Sequence, residues 1–188
     1  MTNTLRGWFV FLWYLLDPIY YSLTRLKYVK DEAKQNLIFR VRLTTYKGRQ
    51  VLLSDGTLIN KNDKLIKIHL HNARLLKELM DVPSEVSRAR IIFQKVLEGL
   101  PALAEYIEQH PDKNEIKGII GITTLHRGCS RLGFETVHLS NQVYKFIKTV
   151  TFLSIWFLSS NQFSLKHFFK QQPKYLFMSK TSLNNRYR

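Results

Sequence analysis

The sequence predicts a compact single domain of the α/β (α+β) class, in which a small mixed β-sheet packs with helices. Three observations lead to this prediction. Apolar and polar residues alternate with a period of two in segments 37–44 and 64–71. Between residues 72 and 109, apolar residues recur at helical spacing and are bounded by capping and breaking residues. An apolar run at 116–123 has the length of a strand.

The first half of the chain predicts an antiparallel sheet. In segment 37–44, Arg40 and Arg42 share one side of the alternation with Thr44. The turn at Ser54-Asp55-Gly56 separates two short apolar segments, 50–53 and 57–59, and predicts a hairpin because glycine tolerates positive φ. Segment 64–71 predicts a further strand.

Helices are predicted to follow. Asn72 is expected to cap a helix through about residue 80, and a longer helix begins at 83–84. Gly99 and Pro101 are expected to break that helix, with a last helix running to about residue 109. The remaining predictions are a short helix over 124–132 ending at Gly133, a strand over 134–139, a helix over 141–159, a strand over 175–179 and a helical turn over 181–187.

Residues 1–30 predict an aromatic N-terminal helical segment that packs on the domain formed by residues 1–188. Nine apolar residues in a row, 8–16, are too few to span a bilayer, which takes about 20. Asp17 and Pro18 are suited to begin a second helix, so helices are expected over 4–16 and 18–27. Packing on the core and lying at a bilayer interface both remain open for the aromatic helix.

The chain is strongly basic. Its formal net charge is +15, and residues 140–188 contribute +8 because they contain no acidic residue. A charge of this size predicts binding to an anionic ligand or a membrane surface and, with less support, to nucleic acid. The alternative is that the basic residues serve only to keep the protein soluble. A hydrophobic content of 45% excludes wholesale disorder. The single cysteine indicates a reducing interior, so we expect a cytoplasmic location, with a peripheral membrane position left open.

Two polar motifs are the candidate ligand-binding sites. His69 and His71 lie two residues apart on one strand face, and Asn72 follows where the strand meets a helix. A metal would need a third ligand from elsewhere, so we expect no metal and no cofactor. No partner protein can be inferred.

The second motif joins the end of the apolar strand at 116–123 to the next helix, and it comprises Thr123, Thr124, His126 and Arg127. Backbone N–H groups at a helix start bind anions, although a simple capped corner explains the same residues. Because both motifs lie where strands lead into helices, they are expected to line one cleft. Asp17 is a further candidate, and Cys129 is interpreted as a core residue rather than a nucleophile.

Four groups of residues, in order along nearly the whole chain, resemble the YkoP-like domain family of bacteria. These groups are 13–20; 53–56 with Asp63 and 68–72; 121–128 with 131–134; and 178–180 with 185–187. The family has no assigned activity, and its members occur alone or joined to polysaccharide-deacetylase domains. The resemblance therefore implies an envelope-associated accessory or ligand-binding domain. A metal-independent enzyme acting on a glycan or lipid headgroup is the alternative, and an RNA-binding protein is the third.

Overall fold

The computed structural model describes residues 26–30, 36–123, 128–139 and 173–188. The N-terminal helical segment, apart from its last residues, and the predicted helix over 141–159 lie outside these ranges. The described strands are β1 Lys27–Lys30, β2 Asn36–Thr45, β3 Val51–Leu52, β4 Leu58–Ile59, β5 Lys64–Leu70, β6 Ile116–Thr123, β7 Glu135–His138 and β8 Lys174–Ser179. The described helices are α1 Asn72–Leu79, α2 Glu85–Glu108 and α3 Lys180–Tyr187, with a 3-10 turn at Cys129–Leu132.

Six of the strands form one mixed sheet in the order β1-β2-β5-β6-β8-β7. Strands β5 and β6 pair in parallel, and the other neighbours pair antiparallel. This confirms the predicted α+β class with a mixed sheet. Strands β6 and β7 follow one another along the chain, but β8 lies between them in the sheet.

The two faces of the sheet are covered differently. On one face, which we call the helix face, Phe39, Ile66, Ile119 and Met178 pack in the same core as α2 and α3. On the other, which we call the hairpin face, the β3–β4 hairpin forms a second core. That core contains Tyr46, Val51, Leu53, Ile59, Leu65, Ile120 and Phe177.

The hairpin is built by the turn that the sequence predicts. Gly56 has a φ of 81°, the left-handed conformation that glycine tolerates best. The backbone N–H of Leu53 donates to the carbonyl of Thr57 at 3.0 Å, and the N–H of Thr57 donates to the Asp55 carboxylate at 3.0 Å. These bonds satisfy the turn locally, so the hairpin forms from nearby residues alone.

Polar contacts attach the hairpin to the sheet. The buried hydroxyl of Ser179 donates to the Asp55 carboxylate and accepts from the backbone N–H of Ser182, which caps α3. The hydroxyl of Ser54 donates to the Glu135 carboxylate at 2.8 Å. The hairpin is thereby fixed to β7 and to the junction between β8 and α3.

Helix α2 differs from its prediction, because one helix continues through Gly99 and Pro101 where two were expected. A Cβ atom on Gly99 would lie 2.8 Å from the ring of Phe39, so the absence of a side chain allows close packing of the helix on β2. Burial against the sheet outweighs the hydrogen bond that Pro101 cannot donate. The predicted start at 83–84 agrees with the structure, where α2 begins at Glu85 and the side chain of Ser84 caps it by accepting from the N–H of Ser87.

Two element boundaries also differ from prediction. The helix expected to end at Lys27 is wrong at its last residue, because Lys27–Lys30 form a strand paired with β2. Val29 is almost fully buried there, and this tertiary contact determines the conformation. Helix α1 begins at Asn72 with His71 in the capping position, one residue before the cap that was expected. No helix within the described ranges is sufficiently long and apolar to cross a membrane.

Candidate functional site

Strand register brings four basic side chains together on the hairpin face. In the antiparallel pair of β2 and β5, Arg40 lies directly opposite His69, and Arg42 lies directly opposite Lys67. Opposed residues share a face of the sheet, and their Cβ atoms lie about 4.5–5.5 Å apart. We call Arg40, Arg42, Lys67 and His69 the basic row.

The basic row concentrates positive charge on a sheet that supplies little negative charge of its own. Like charges directly opposite one another destabilise a sheet. Within the described strands, the only acidic residue that the register places on the hairpin face is Glu135, on the edge strand β7. Its carboxylate accepts from the backbone N–H and the hydroxyl of Ser54. Among the described strands, this face is therefore predominantly basic.

Arg40 is held rigidly at one end of the row. It is only 3% exposed, and its Nη2 atom donates to the hydroxyl of Tyr28 and, across 2.6 Å, to Nε2 of His71. The guanidinium carbon also lies 4.8 Å from the ring centroid of Tyr28. The rings of Tyr28 and His71 meet edge to face at 5.7 Å.

These contacts determine the role of His71. A guanidinium only donates hydrogen bonds, so Nε2 of His71 must accept and its proton must lie on Nδ1. The backbone N–H of His71 donates to the carbonyl of Ile38 at 2.9 Å, which ties the end of β5 to β2. Arg40 and His71 thus form a preorganised polar corner at the start of α1.

Thr123, the described residue of the second motif, lies at the same edge of the sheet as the histidine motif but on the opposite face from His69. Strands β5 and β6 are parallel neighbours, so their carboxyl ends, at Leu70 and Thr123, lie at the same edge. Alternation places Thr123 on the helix face with Ile119, whereas His69 is on the hairpin face. Asn72 is the first residue of α1. The other candidates, Asp17, Thr124, His126 and Arg127, lie outside the described residues.

The sequence analysis missed the residues that contribute most to this site. Tyr28 and Lys67 were not among the candidates, and Arg40 and Arg42 were noted only for their place in the alternation. Alternation does assign both arginines to one strand face. Alternation alone does not show that β2 pairs with β5. This pairing places Arg42 beside Lys67, which is far from it along the chain.

The described part of the chain shows neither a metal-binding cluster nor an activated nucleophile. No group of three or more His, Cys, Asp or Glu side chains in these segments could hold a metal ion. Burial raises the pKa of the Cys129 thiol, which packs against the helix-face core. A raised pKa lowers the thiolate population, so the thiol is not activated.

Comparison with known proteins agrees with the resemblance seen in the sequence. Residues 6–187 match the family model described as the YkoP domain. The chain is 45% identical over 179 residues to a protein of Bacillus subtilis (strain 168) named "Uncharacterized protein YkoP", covering 95% of this chain and 96% of the relative. No solved structure matches the chain. The chain therefore belongs to the bacterial YkoP domain family.

Proposed function

We propose that this chain is an envelope-associated accessory domain that binds an anionic ligand through the basic row. The observation that carries the proposal is the direct opposition of Arg42 and Lys67, beside that of Arg40 and His69. Basic side chains grouped on one face of a sheet raise the local positive potential, which attracts anionic groups. A phosphate or carboxylate group is the ligand chemistry that such a row suits.

The buried corner at Arg40 fixes the end of the strand that carries Arg42. Arginine binds phosphate and carboxylate oxygens through paired N–H groups, which makes Arg42 the main candidate contact of the row. Arg40 is held by Tyr28 and His71. Arg42 and Lys67 are half-buried beside it, where charges are screened less than at an open surface.

The same geometry favours a binding domain over a metal-independent enzyme. A histidine acting as a general base needs an available ring nitrogen. The lone pair on Nε2 of His71 already accepts from Arg40, and its other ring nitrogen carries a proton. The link to the envelope is the family's association with polysaccharide-deacetylase domains.

The proposal is tested by titrating the protein with inorganic pyrophosphate in a calorimeter at low salt. We expect Arg42→Ala to weaken binding about tenfold or more, as for a lost hydrogen bond between charged groups. Lys117→Ala is the matched control, because Lys117 is an exposed lysine near the opposite end of β6. Equal weakening in both variants would show diffuse attraction to a basic protein and would contradict a defined site.

A further inference from the structure

The β3–β4 hairpin is apolar on both of its faces. Val51 of β3 and Ile59 of β4 point toward the sheet and are buried in the second core. Their neighbours along the strands, Leu52 and Leu58, point away from the sheet and are 68% and 40% exposed. The outer face of an antiparallel hairpin is ordinarily polar. The outer face of this hairpin therefore still has apolar area to bury.

Leu52 and Leu58 form one patch, which we call the leucine pair. They are direct partners in the β3–β4 register, so their Cβ atoms lie about 4.5–5.5 Å apart. In the described segments, the other large apolar side chains with comparable exposure are Met80 and Val86, near the turn between α1 and α2. Scattered apolar side chains are ordinary on a surface, whereas contiguous ones with a polar rim mark interaction sites.

Cations lie beside the leucine pair at the base of the hairpin. Arg49 and Lys61 are each three residues from one leucine, about 10 Å along the strands given a rise of about 3.4 Å per residue. Both are exposed, and neither has an ion pair in the described part of the chain. Lys47 is also exposed and donates to the neutral amide of Asn62 at 3.0 Å. We call Lys47, Arg49 and Lys61 the base cations.

The base cations border an open surface. They line a broad groove of about 1010 Å³ beside the hairpin, and none of the residues that line this groove is acidic. Next to them on the outer face, the amides of Gln50 and Asn60 are joined by a 2.6 Å hydrogen bond. The leucine pair therefore has a neutral polar edge, followed by a cationic one.

The carboxylates near the hairpin are hydrogen-bonded within the chain. Asp55 accepts from the hydroxyl of Ser179, and Asp63 accepts from the backbone N–H of Asn60 at 2.7 Å. Glu135 accepts from the hairpin turn, which is the end away from the base cations. Only Asp63 adjoins the base along the chain, so the base retains an excess of positive charge.

This arrangement suits the surface of an anionic bilayer. Apolar side chains of a peripheral protein enter the boundary between headgroups and acyl chains, while lysine and arginine reach the lipid phosphates on long stems. A stable protein interface buries about 800 Å² on each partner, usually around a larger apolar centre than two leucines. The leucine pair and the base cations supply the two signals, apolar contact and charge, that together give stable membrane binding.

We infer that the outer face of the β3–β4 hairpin docks on an anionic lipid bilayer. Leu52 and Leu58 enter the headgroup boundary, and Arg49 and Lys61 contact the phosphates. This surface does not include the basic row, so the inference goes beyond the proposed function.

Flotation of the full chain with vesicles tests the inference. The vesicles contain phosphatidylglycerol and phosphatidylcholine in equal parts, or phosphatidylcholine alone. We expect binding to the anionic vesicles, weakened at least about tenfold in the double variant Leu52→Thr with Leu58→Thr. The matched control is Met80→Thr with Val86→Thr, which also removes two exposed apolar side chains and should bind like the parent protein.

Two further measurements assign the contact to the hairpin. Arg49→Gln with Lys61→Gln should weaken binding to anionic vesicles about tenfold or more and reduce its dependence on salt. A polarity-sensitive fluorophore attached through Leu58→Cys, in a Cys129→Ala background, should shift to the blue on anionic vesicles. The same fluorophore attached through Val86→Cys should not shift.

Several results would overturn the inference. They are equal binding to both kinds of vesicle, no binding to either, unchanged binding in the leucine double variant, and a fluorophore at position 58 that stays in water. A dimer of the parent protein that this variant abolishes would assign the leucine pair to a second copy of the chain. Because the leucines are exposed, the variants should fold, which circular dichroism checks.

The fate of the proposed function is read separately. Pyrophosphate binding that is retained in Leu52→Thr with Leu58→Thr and lost in Arg42→Ala supports the basic row, whatever the vesicles show. Vesicle binding that is retained in Arg42→Ala and lost in the leucine variant supports the hairpin surface, whatever pyrophosphate shows.

Discussion

Nη2 of Arg40 lies 2.6 Å from Nε2 of His71, so a buried cation and an imidazole are joined by a hydrogen bond that only the arginine can donate. This bond assigns a role to each nitrogen of the ring. It also makes Arg40, rather than the neighbouring His69, the residue that positions His71. The relationship can be tested without knowing the ligand.

His71 should be the Nδ1–H tautomer in the folded protein, because Nε2 accepts from Arg40. Long-range ¹⁵N–¹H NMR correlations distinguish the two ring nitrogens. In Arg40→Met we expect a mixture of tautomers, while the exposed His138 keeps the spectrum of the parent protein. A proton on Nε2 of His71 in the parent protein would contradict the assigned hydrogen bond.

Gly118 and Gly121 should respond differently to alanine. A Cβ atom on Gly118 would lie 2.3 Å from the backbone carbonyl oxygen of Met178, which cannot move without disturbing β8. At Gly121 the nearest atom is a side-chain carbon of Ile68 at 3.2 Å, which can adjust. Urea unfolding should show a loss of about 3 kcal/mol for Gly118→Ala and about 1 kcal/mol or less for Gly121→Ala. Similar losses would contradict the tight β6–β8 approach.

The contact between α2 and α3 should weaken in acid. The amide of Asn184 and the ammonium of Lys180 donate to the Glu108 carboxylate at 2.9 Å and 3.0 Å, and these bonds hold the pKa of Glu108 below its ordinary value. A lowered pKa stabilises the folded state above the unfolded-state pKa of about 4.3, and this stability is lost as pH falls through the folded value.

The measurement is the free energy of unfolding at pH 7 and at pH 3. Glu108→Gln should lower it by up to about 1 kcal/mol at pH 7, since such pairs at a surface contribute little, and by less at pH 3. Glu98→Gln on the same helix is the control, because Glu98 is exposed and accepts only from Gln94 among the assigned side-chain hydrogen bonds of the described residues. An equal loss in Glu108→Gln at both pH values would contradict the lowered pKa.

Cys129 should react slowly with thiol reagents at pH 7.5. Burial raises the pKa of its thiol, and the thiolate is the reactive form. Because it is the single cysteine of the chain, labelling reports one site. Unfolding the protein in urea should accelerate labelling on the order of a hundredfold, by exposing the thiol and restoring its ordinary pKa. Rapid labelling of the folded protein would reopen a nucleophilic role.

The elements predicted correctly are those determined by nearby residues. The alternation in β2, the turn at Ser54-Asp55-Gly56 and the start of α2 near residue 84 each follow from a few residues. The continuity of α2 through Pro101 depends on packing against β2. Strand β1 likewise depends on pairing with β2 and on burial of Val29. These are tertiary effects, which local propensity does not contain.

The candidate site also has a part that local sequence predicts and a part that depends on strand pairing. The position of His69 and His71 beside a strand end followed from local pattern. The basic row did not, because it requires Arg42 to meet Lys67 through the β2–β5 register. Which face of the sheet carries Thr123 likewise depends on how β6 pairs with β5 and β8. This pairing places Thr123 on the helix face, opposite to His69.

The position of β8 has a consequence for the order of folding. This strand comes last along the chain but occupies a place between β6 and β7, and its Ser179 hydroxyl also holds the hairpin through Asp55. During synthesis, β6 and β7 therefore cannot join one sheet until Lys174–Ser179 has left the ribosome. Until then the edge of β6 is open to pairing with other chains, and the nascent domain is at its most vulnerable to aggregation.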